Sequence, residues 1–520
     1  MSRRRLERLQ TVGALAWMGR ALSVGGLLCP SAAVWSAEQA GTQRFLAIEP
    51  SVSITQTFSD NPELRALDIQ GDSITRLTLG LGLRLNQGQV RGLLNYGLSA
   101  LIQARGSSGN SLQNQLNAAV AADWLDKRAH VDASATIVRS AISAFGAQPD
   151  GSANIGRNST EQRNLRVAPS LQGPVGAGLR YTASLAIQAT DVKDNAVGDS
   201  TSANLSLHLE PARSTRLAWA ADYSHTTNDF KTGRTTEDDR ANLSLSLNWD
   251  EFDLRLNANA GAEITNLASA DRRRYSSWGV GAEWKPSQRT RVVVDYGERF
   301  FGKNYAVSAE HRTPLTIWRF TDSRSLSLGN GGGAGSGVRS TAYDLFFAQF
   351  ASAEPDPTKR ADLVSAFLKL NGIDPQSSLN LDFLRSTATV QDRQDLSVAW
   401  RNARSSATLM FTRSSTRRLN DGSIVLGDLA DTDTVNLRGV SVSVSHRLTP
   451  QSALDLTMSQ QQGGGQLASQ ASWQRQYILQ YMLSPTAKSN LIVGARHGQY
   501  ERPAISYAEN AVYATYGIRF

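Results

Sequence analysis

The residues that could do chemistry are spread thinly along this chain. Six histidines stand singly at His130, His208, His225, His311, His446 and His497, with no HExxH and no paired ligand spacing. A metal site needs several donors converging on one ion, so each histidine reads as an isolated polar residue. No GxSxG nucleophile turn occurs. The run GNGGGAGSG at 329–337 lacks the Lys and Ser/Thr that make a glycine-rich loop a phosphate cradle, and no apolar strand leads into it. Asp60, Asn61 and Glu63 bring oxygen ligands together on a loop and could hold a cation; a polar turn closed by Pro62 is the plainer reading. Arginine-rich stretches, DRRRY at 271–275 and STRRL at 415–419, offer charge-assisted contacts to phosphate or acidic sugar. Solvated surface charge is their duller account. Catalytic, metal and cofactor residues are therefore expected to be none.

What positions these residues is a β pattern. Segments of ten to sixteen residues alternate with period 2, as in QVRGLLNYGLSALIQA (89–104), AGLRYTASLAIQA (177–189) and RANLSLSLNW (240–249). Such lengths suit tilted membrane-spanning strands and exceed those of ordinary soluble sheets. Short turns at 86–88, 126–128, 210–214, 285–288, 449–452 and 484–487 alternate with longer polar loops near 59–71, 145–160, 190–200, 227–238, 264–274 and 418–432. That wiring predicts a large antiparallel transmembrane β-barrel of the bacterial outer membrane over 45–520, with about 22 strands and a range of 18–24. Trp124, Trp249, Trp284 and Trp400 each fall one or two residues before a short turn, where an amphipathic indole suits a membrane–water belt. The closing stretch ENAVYATYGIRF alternates to its last residue. Its Tyr516, Ile518 and Phe520 read as a final strand that pairs with the first, near Ala47–Phe58, and as a signal for barrel-assembly machinery.

Composition agrees. The chain carries Lys and Arg 54 against Asp and Glu 46, a formal charge of +8. Arg3, Arg4, Arg5, Arg8 and Arg20 against Glu7 account for half of that excess, so nucleic acid is not an expected partner. Residues 1–37 read as a Sec signal peptide cut near 33–37, with a basic start, an apolar middle and small residues at the exit. Cys29, the single cysteine, falls within that segment, so the remaining chain is expected to lack thiol chemistry and disulfides. A mean hydropathy of −0.32 does not oppose a barrel, because alternating strands hide their apolar face from averaging.

One segment breaks the alternation. Tyr343, Phe346, Phe347 and Phe350 recur at helical spacing, Asp356 and Pro357 can start a second helix, Val364, Phe367 and Leu368 continue a stripe, and Gly372 can close it. A short helical hairpin at 340–375, inserted in one long loop, is expected to decorate the exterior or plug the lumen.

Three stretches carry a resemblance. IEPSVSITQTFSDNPEL (48–64), GERFFGKNYAVSAEHRTPLTIWRF (297–320) and PDPTKRADLVSAFLKLNGIDP (355–375) resemble the outer-membrane β-barrel proteins associated with PEP-CTERM/exosortase systems, a family without an assigned function. Phe58 and Ser59 stand where members of that family often have Tyr-Thr, a departure that leaves the strand reading intact. The resemblance implies a Gram-negative setting of exopolysaccharide production and surface sorting. It singles out Asp60, Asn61, Arg299, Phe300, Phe301, Gly302, Asn304, His311 and Arg312, with Gly302 serving a tight hairpin between Phe301 and Asn304. The expected function is a non-enzymatic barrel linked to exopolysaccharide or PEP-CTERM protein export or surface assembly. Its expected partners are outer-membrane lipid and lipopolysaccharide, the barrel-assembly machinery, and exopolysaccharide or its export components. The alternatives are a general diffusion porin with the hairpin as a constriction, and an outer-membrane hydrolase with Ser or Asp beside His at the outer rim.

Overall fold

The computed structural model describes residues 46–105, 110–147, 158–176, 178–194, 197–213, 216–329, 364, 383–419, 425–503 and 505–520. The expected signal peptide and all but Val364 of the expected helical hairpin lie outside them.

Period-2 alternation becomes strand throughout. In chain order the strands are β1 (Leu46–Ser59), β2 (Asp72–Gln87), β3 (Val90–Gln103), β4 (Ser111–Trp124), β5 (Ala129–Ala141), β6 (Ser159–Val175), β7 (Leu179–Val192) and β8 (Ser200–Pro211). They continue as β9 (Leu217–Phe230), β10 (Thr236–Trp249), β11 (Leu254–Thr265), β12 (Arg273–Ser287), β13 (Thr290–Arg299), β14 (Gly302–Arg312) and β15 (Thr316–Ser327). The last seven are β16 (Thr389–Arg401), β17 (Ser405–Arg418), β18 (Thr434–Thr449), β19 (Ser452–Gly464), β20 (Ser472–Thr486), β21 (Ser489–Arg502) and β22 (Ile505–Arg519). Among the described residues, helix is limited to Val364, a short α1 (Asp428–Asp431) and two single 3-10 turns. Each strand pairs antiparallel with its chain neighbours, and β22 pairs with β1 from Ser51↔Arg519 to Ser59↔Ala511. The sheet therefore closes on itself as a 22-stranded barrel with no open edge.

Closure sorts the side chains by parity. Outward positions are apolar and exposed, as with Ile48, Val52 and Ile54 on β1, Leu243 and Leu245 on β10, and Val512, Tyr516 and Ile518 on β22. Inward positions are small or polar: the lumen face of β17 reads Ser406, Thr408, Met410, Thr412, Ser414 and Thr416. An apolar belt around a polar-lined interior is the inverse of a soluble barrel, and lipid is the solvent that such an exterior needs.

The two rims differ as the alternation predicts, with two corrections. Short turns join β2–β3, β4–β5 and the like on one rim, and the strands run a residue or two further into them than expected. On the opposite rim the longer connections are interrupted by two tight ones. β13 and β14 are joined by Phe300 and Phe301 alone, and β21 and β22 by residues 503–504. At the first, Gly302 adopts φ +93°, a left-handed backbone that lets two residues reverse the chain. The glycine thus opens β14 and pairs with Arg299, so the hairpin turn lies before Gly302, not between Phe301 and Asn304. A Cβ at Gly302 would meet nothing within 4 Å, so the cost of substitution is conformational alone. Gly302→Val is expected to destabilise the hairpin by about 1–2 kcal/mol. A heat-modifiability midpoint equal to the parent's would refute that role.

Candidate functional site

Cross-sectional geometry locates the site. With strands about 4.8 Å apart and tilted near 40°, 22 of them on a circle would make a barrel about 44 Å across, measured between backbones. β5 and β16 stand eleven strands apart, directly opposite each other. Yet Ala141, the last residue of β5, forms a bridge with Phe383, and Leu384 N donates to Ala141 O at 3.2 Å. Thr389 already belongs to β16. Six residue steps reach at most about 21 Å, so the walls at this rim stand no more than about 26 Å apart. The loop-side ends of β5 and β16 are thus drawn together, and Phe383–Ala388 strap the mouth between them.

The strap is sequestered. Phe383, Leu384, Arg385, Ser386, Thr387 and Ala388 are all buried. Burial pushes the Arg385 guanidinium down to about 10; its nitrogens reach Thr389 Oγ1 at 3.1 Å and the Gly329 carbonyl at 3.2 Å. Loops from both walls fasten onto the strap and onto each other. Ser386 Oγ accepts from Leu426 N at 2.9 Å, tying the strap to the β17–β18 connection. From the far wall, the turn after β5 is shaped by Asn158, whose Oδ1 accepts from Ser143 N and whose Nδ2 donates to the Ser143 and Ala147 carbonyls, each at 2.9 Å. That turn docks on α1: Ser143 Oγ donates to Asp428 Oδ1 at 2.8 Å and Ala144 N to Asp428 Oδ2 at 2.6 Å. The Tyr500 hydroxyl, from the lumen face of β21, donates to the Phe145 carbonyl. Burial raises the Asp428 carboxyl above the usual range, against the lowering effect of the Ala144 and Ser143 hydrogen bonds.

A second polar feature lines the wall just inside. Glu263 on β11, fully buried, accepts from Arg299 Nε at 2.7 Å and faces Arg240 Nε at 3.5 Å, while Asp238 stands 3.6 Å from Arg299. The Arg299 guanidinium also lies 5.8 and 5.4 Å from the rings of Phe300 and Phe301. This ties β10, β11 and the β13–β14 turn together.

The motif positions separate. Asp60 and Asn61 clasp the seam: Asn510 N and Nδ2 donate to the two Asp60 oxygens at 2.7 Å each, and Asn61 Nδ2 donates to the Arg65 and Ala508 carbonyls. Glu63 is paired with Arg65. The loop is a polar clasp, and no group of three or more potential metal-ligating residues occurs among the described residues. Arg299, Phe300, Phe301, Gly302 and Asn304 form the tight turn on the same rim. His311 and Arg312 end β14 at the opposite rim, where His311 Nδ1 meets Thr290 Oγ1 at 2.8 Å and Arg312 donates to the Gln288 carbonyl at 3.1 Å. Trp124, Trp249, Trp284 and Trp400 sit at the short-turn ends of β4, β10, β12 and β16. Tyr516, Ile518 and Phe520 lie on the outer face of β22, with Phe520 N bonded to Pro50 O at 3.0 Å. Tyr343, Phe346, Phe347, Phe350 and Phe367 lie outside the described residues.

The histidines behave alike. His130, His208 and His225 bond Asp123, Asp222 and Asp239 at 2.6–2.7 Å, and His446 and His497 bond Ser405 and Asn510 at 2.8 and 2.7 Å. Each partner sits on an adjacent strand. His225 comes nearest to a hydrolytic relay, with Asp239 on Nδ1 and Thr227 Oγ1 3.2 Å from Nε2. β9 is paired on both sides at Thr227, which leaves its backbone N–H groups committed to the sheet rather than to an oxyanion. The arrangement reads as one more cross-strand clasp.

Sequence reasoning missed the mouth. Ser143, Asn158, Ser386, Asp428 and Tyr500 carry no motif, and the only local hint was the density of Ser, Asn and Asp in the loops that hold four of them.

No protein-family model matches the sequence, and no curated protein matches it. Among solved structures, the FrpB iron transporter from Neisseria meningitidis is similar at 9% identity, over 91% of this chain and 81% of that one, with a TM-score of 0.48. BauA, the ferric preacinetobactin receptor from Acinetobacter baumannii, is similar at 9% identity over 90% and 80%, TM-score 0.46. OccK5 (OpdH) of Pseudomonas aeruginosa is similar at 10% identity over 91% and 98%, TM-score 0.34. Each likeness is one of barrel architecture, at an identity too low to bear on cargo.

Proposed function

We propose that this chain is a non-enzymatic barrel of the bacterial outer membrane that serves export or surface assembly of exopolysaccharide or of PEP-CTERM proteins, through a mouth that rests closed. The strap carries the closed-mouth part of this reading. A polar-lined barrel of this girth would leak solutes if it stood open, and here Phe383–Ala388 and the β5–β6 and β17–β18 connections meet across its rim. A closed rest state suits a passage opened for a specific cargo and does not suit a general diffusion porin. The export setting is supported by the three stretches of family resemblance, and the outer membrane by the apolar exterior. On this reading the tryptophans at the short-turn ends form the periplasmic belt, and the outward Tyr516, Ile518 and Phe520 on the closing strand meet the barrel-assembly machinery.

Two measurements test the parts separately. In planar bilayers the full chain is expected to show a closed baseline with rare openings; steady conductance would favour the porin. A deletion strain is expected to lose surface exopolysaccharide or surface display of C-terminally tagged protein, and unchanged levels of both would remove the export half.

A further inference from the structure

Among the described residues, the outer face from β17 to β20 carries arginines with no matching acid on those strands. On most of the loop-side collar, outward acids and bases come in pairs or hydrogen-bonded sets. Arg163 bonds Glu161 at 2.7 Å, His225 bonds Asp239 at 2.7 Å, Arg272 reaches Glu237 at 3.0 Å, and Arg324 faces Asp392 at 3.6 Å. From β17 to β20 the pattern changes. The outward positions there read Arg413, Ser415 and Arg417 on β17, Asn436 and Arg438 on β18, Gln460 and Gln462 on β19, and Trp473 and Arg475 on β20, with no Asp or Glu. None of the four arginines has a carboxylate partner among the described residues. Arg438 Nε is held by Gln462 Oε1 at 2.6 Å, and Arg475 stacks 3.7 Å over the Trp473 ring.

Two details point to what this sector receives. Arg413 and Arg438 are exposed and stand directly opposite each other in the β17–β18 register. Like charges so placed repel, and an anion between them converts that repulsion into two attractions. Each of Arg413, Arg438 and Arg475 is also the first charged outward residue beyond its strand's apolar run, following Phe411, Val440 and Tyr477. The charges thus sit where acyl chains end and headgroups begin. Three strand spacings from β17 to β20 span about 14 Å, the scale of a sugar headgroup with more than one phosphate.

We propose that Arg413, Arg438, Arg417 and Arg475 form an external site for a phosphorylated glycolipid of the surrounding leaflet, with acyl chains on the Leu409, Phe411, Val442 and Leu479 wall and phosphates on the guanidiniums. The site rests on the reading of the exterior as lipid-embedded and is independent of cargo and of the strap. Through it the membrane holds the strands that flank α1.

The test is native mass spectrometry of the folded, detergent-purified full chain with bisphosphorylated lipid A as probe. The parent is expected to retain the lipid. Arg413→Gln is expected to weaken retention about tenfold, and R413Q/R438Q to weaken it further. Arg272→Gln, in the acid-matched sector, should leave retention unchanged. Heat-modifiable migration checks that each variant is folded, and the single variant keeps the test open if the double does not fold. Equal retention by the parent and the folded variants overturns the site. So does equal binding of lipid A stripped of phosphate, which would assign binding to the acyl chains alone. Displacement by inorganic phosphate at the same concentration as the lipid would replace the glycolipid with a free anion and overturn the proposal as stated. A parent that retains no lipid yet conducts as described would remove this site and leave the proposed function standing.

Discussion

Asp428→Ala opens the barrel: in planar bilayers the variant shows frequent openings where the parent rests closed. Asp428 accepts from Ser143 Oγ and Ala144 N, two hydrogen bonds that join loops from opposite walls. Losing them removes about 1.5–3 kcal/mol per charge-assisted bond and strands the Ala144 N–H. A net loss of about 3 kcal/mol shifts the open-to-closed ratio roughly 100-fold. The pH dependence has a definite sign. Because burial raises the Asp428 pKa in the closed mouth above the ordinary value of 3.8, the closed form binds the proton more tightly than the open one. Asp428's contribution to the closed form is complete below 3.8 and declines as pH rises through the raised pKa, so openings grow more frequent with rising pH across that window. Asp428→Asn keeps a side chain that can still bond Ser143 but cannot titrate, and should flatten the pH response while opening far less than alanine. Parent-like silence in folded Asp428→Ala would show that this contact does not hold the mouth.

The second large effect lies at the seam. Arg496 on β21 donates to Glu509 on β22 at 2.7 Å, and Ser59 on β1 donates to the same carboxylate oxygen at 2.7 Å. Both charged side chains are 4% exposed, so the pair is shielded from water at the junction where first and last strands close the cylinder. Arg496→Leu leaves Glu509 buried with its cation gone, at a cost of about 3–5 kcal/mol. The variant is expected to lose its heat-modifiable, folded migration at a clearly lower temperature. R496L/E509L should recover much of the loss, because exchanging a whole buried pair for apolar groups costs far less than orphaning one charge. A single variant as stable as the parent would mean that the clasp of Asp60 and Asn61 holds the seam unaided.

Most of the wall was legible because a membrane strand declares both faces locally. In RANLSLSLNW, Leu243, Leu245 and Leu247 faced lipid by parity alone, whichever strands came to flank them. The pairing of the ENAVYATYGIRF strand with β1 followed too, since an unpaired edge in lipid leaves backbone groups without partners. The rim was read less well. Phe300–Phe301 serve as a complete turn because Gly302 takes a positive φ, and the sequence showed a glycine without showing where the reversal would fall. The nine motif positions carried no spatial relation in the chain, and the barrel places the Arg299–Gly302 turn and the His311–Arg312 pair on opposite rims.

By itself the amino-acid sequence determined the closed barrel and the side of the wall on which each residue stands, and it bracketed the strand number between about 18 and 24. These follow from a two-residue period and from short-range turn chemistry. Tertiary structure alone decided that the mouth is strapped, because Ser143 and Asp428 are 285 residues apart and stand on facing walls. Their meeting depends on how many strands separate them around the circle and on how far the loop-side strand ends are drawn together, quantities that no local pattern encodes.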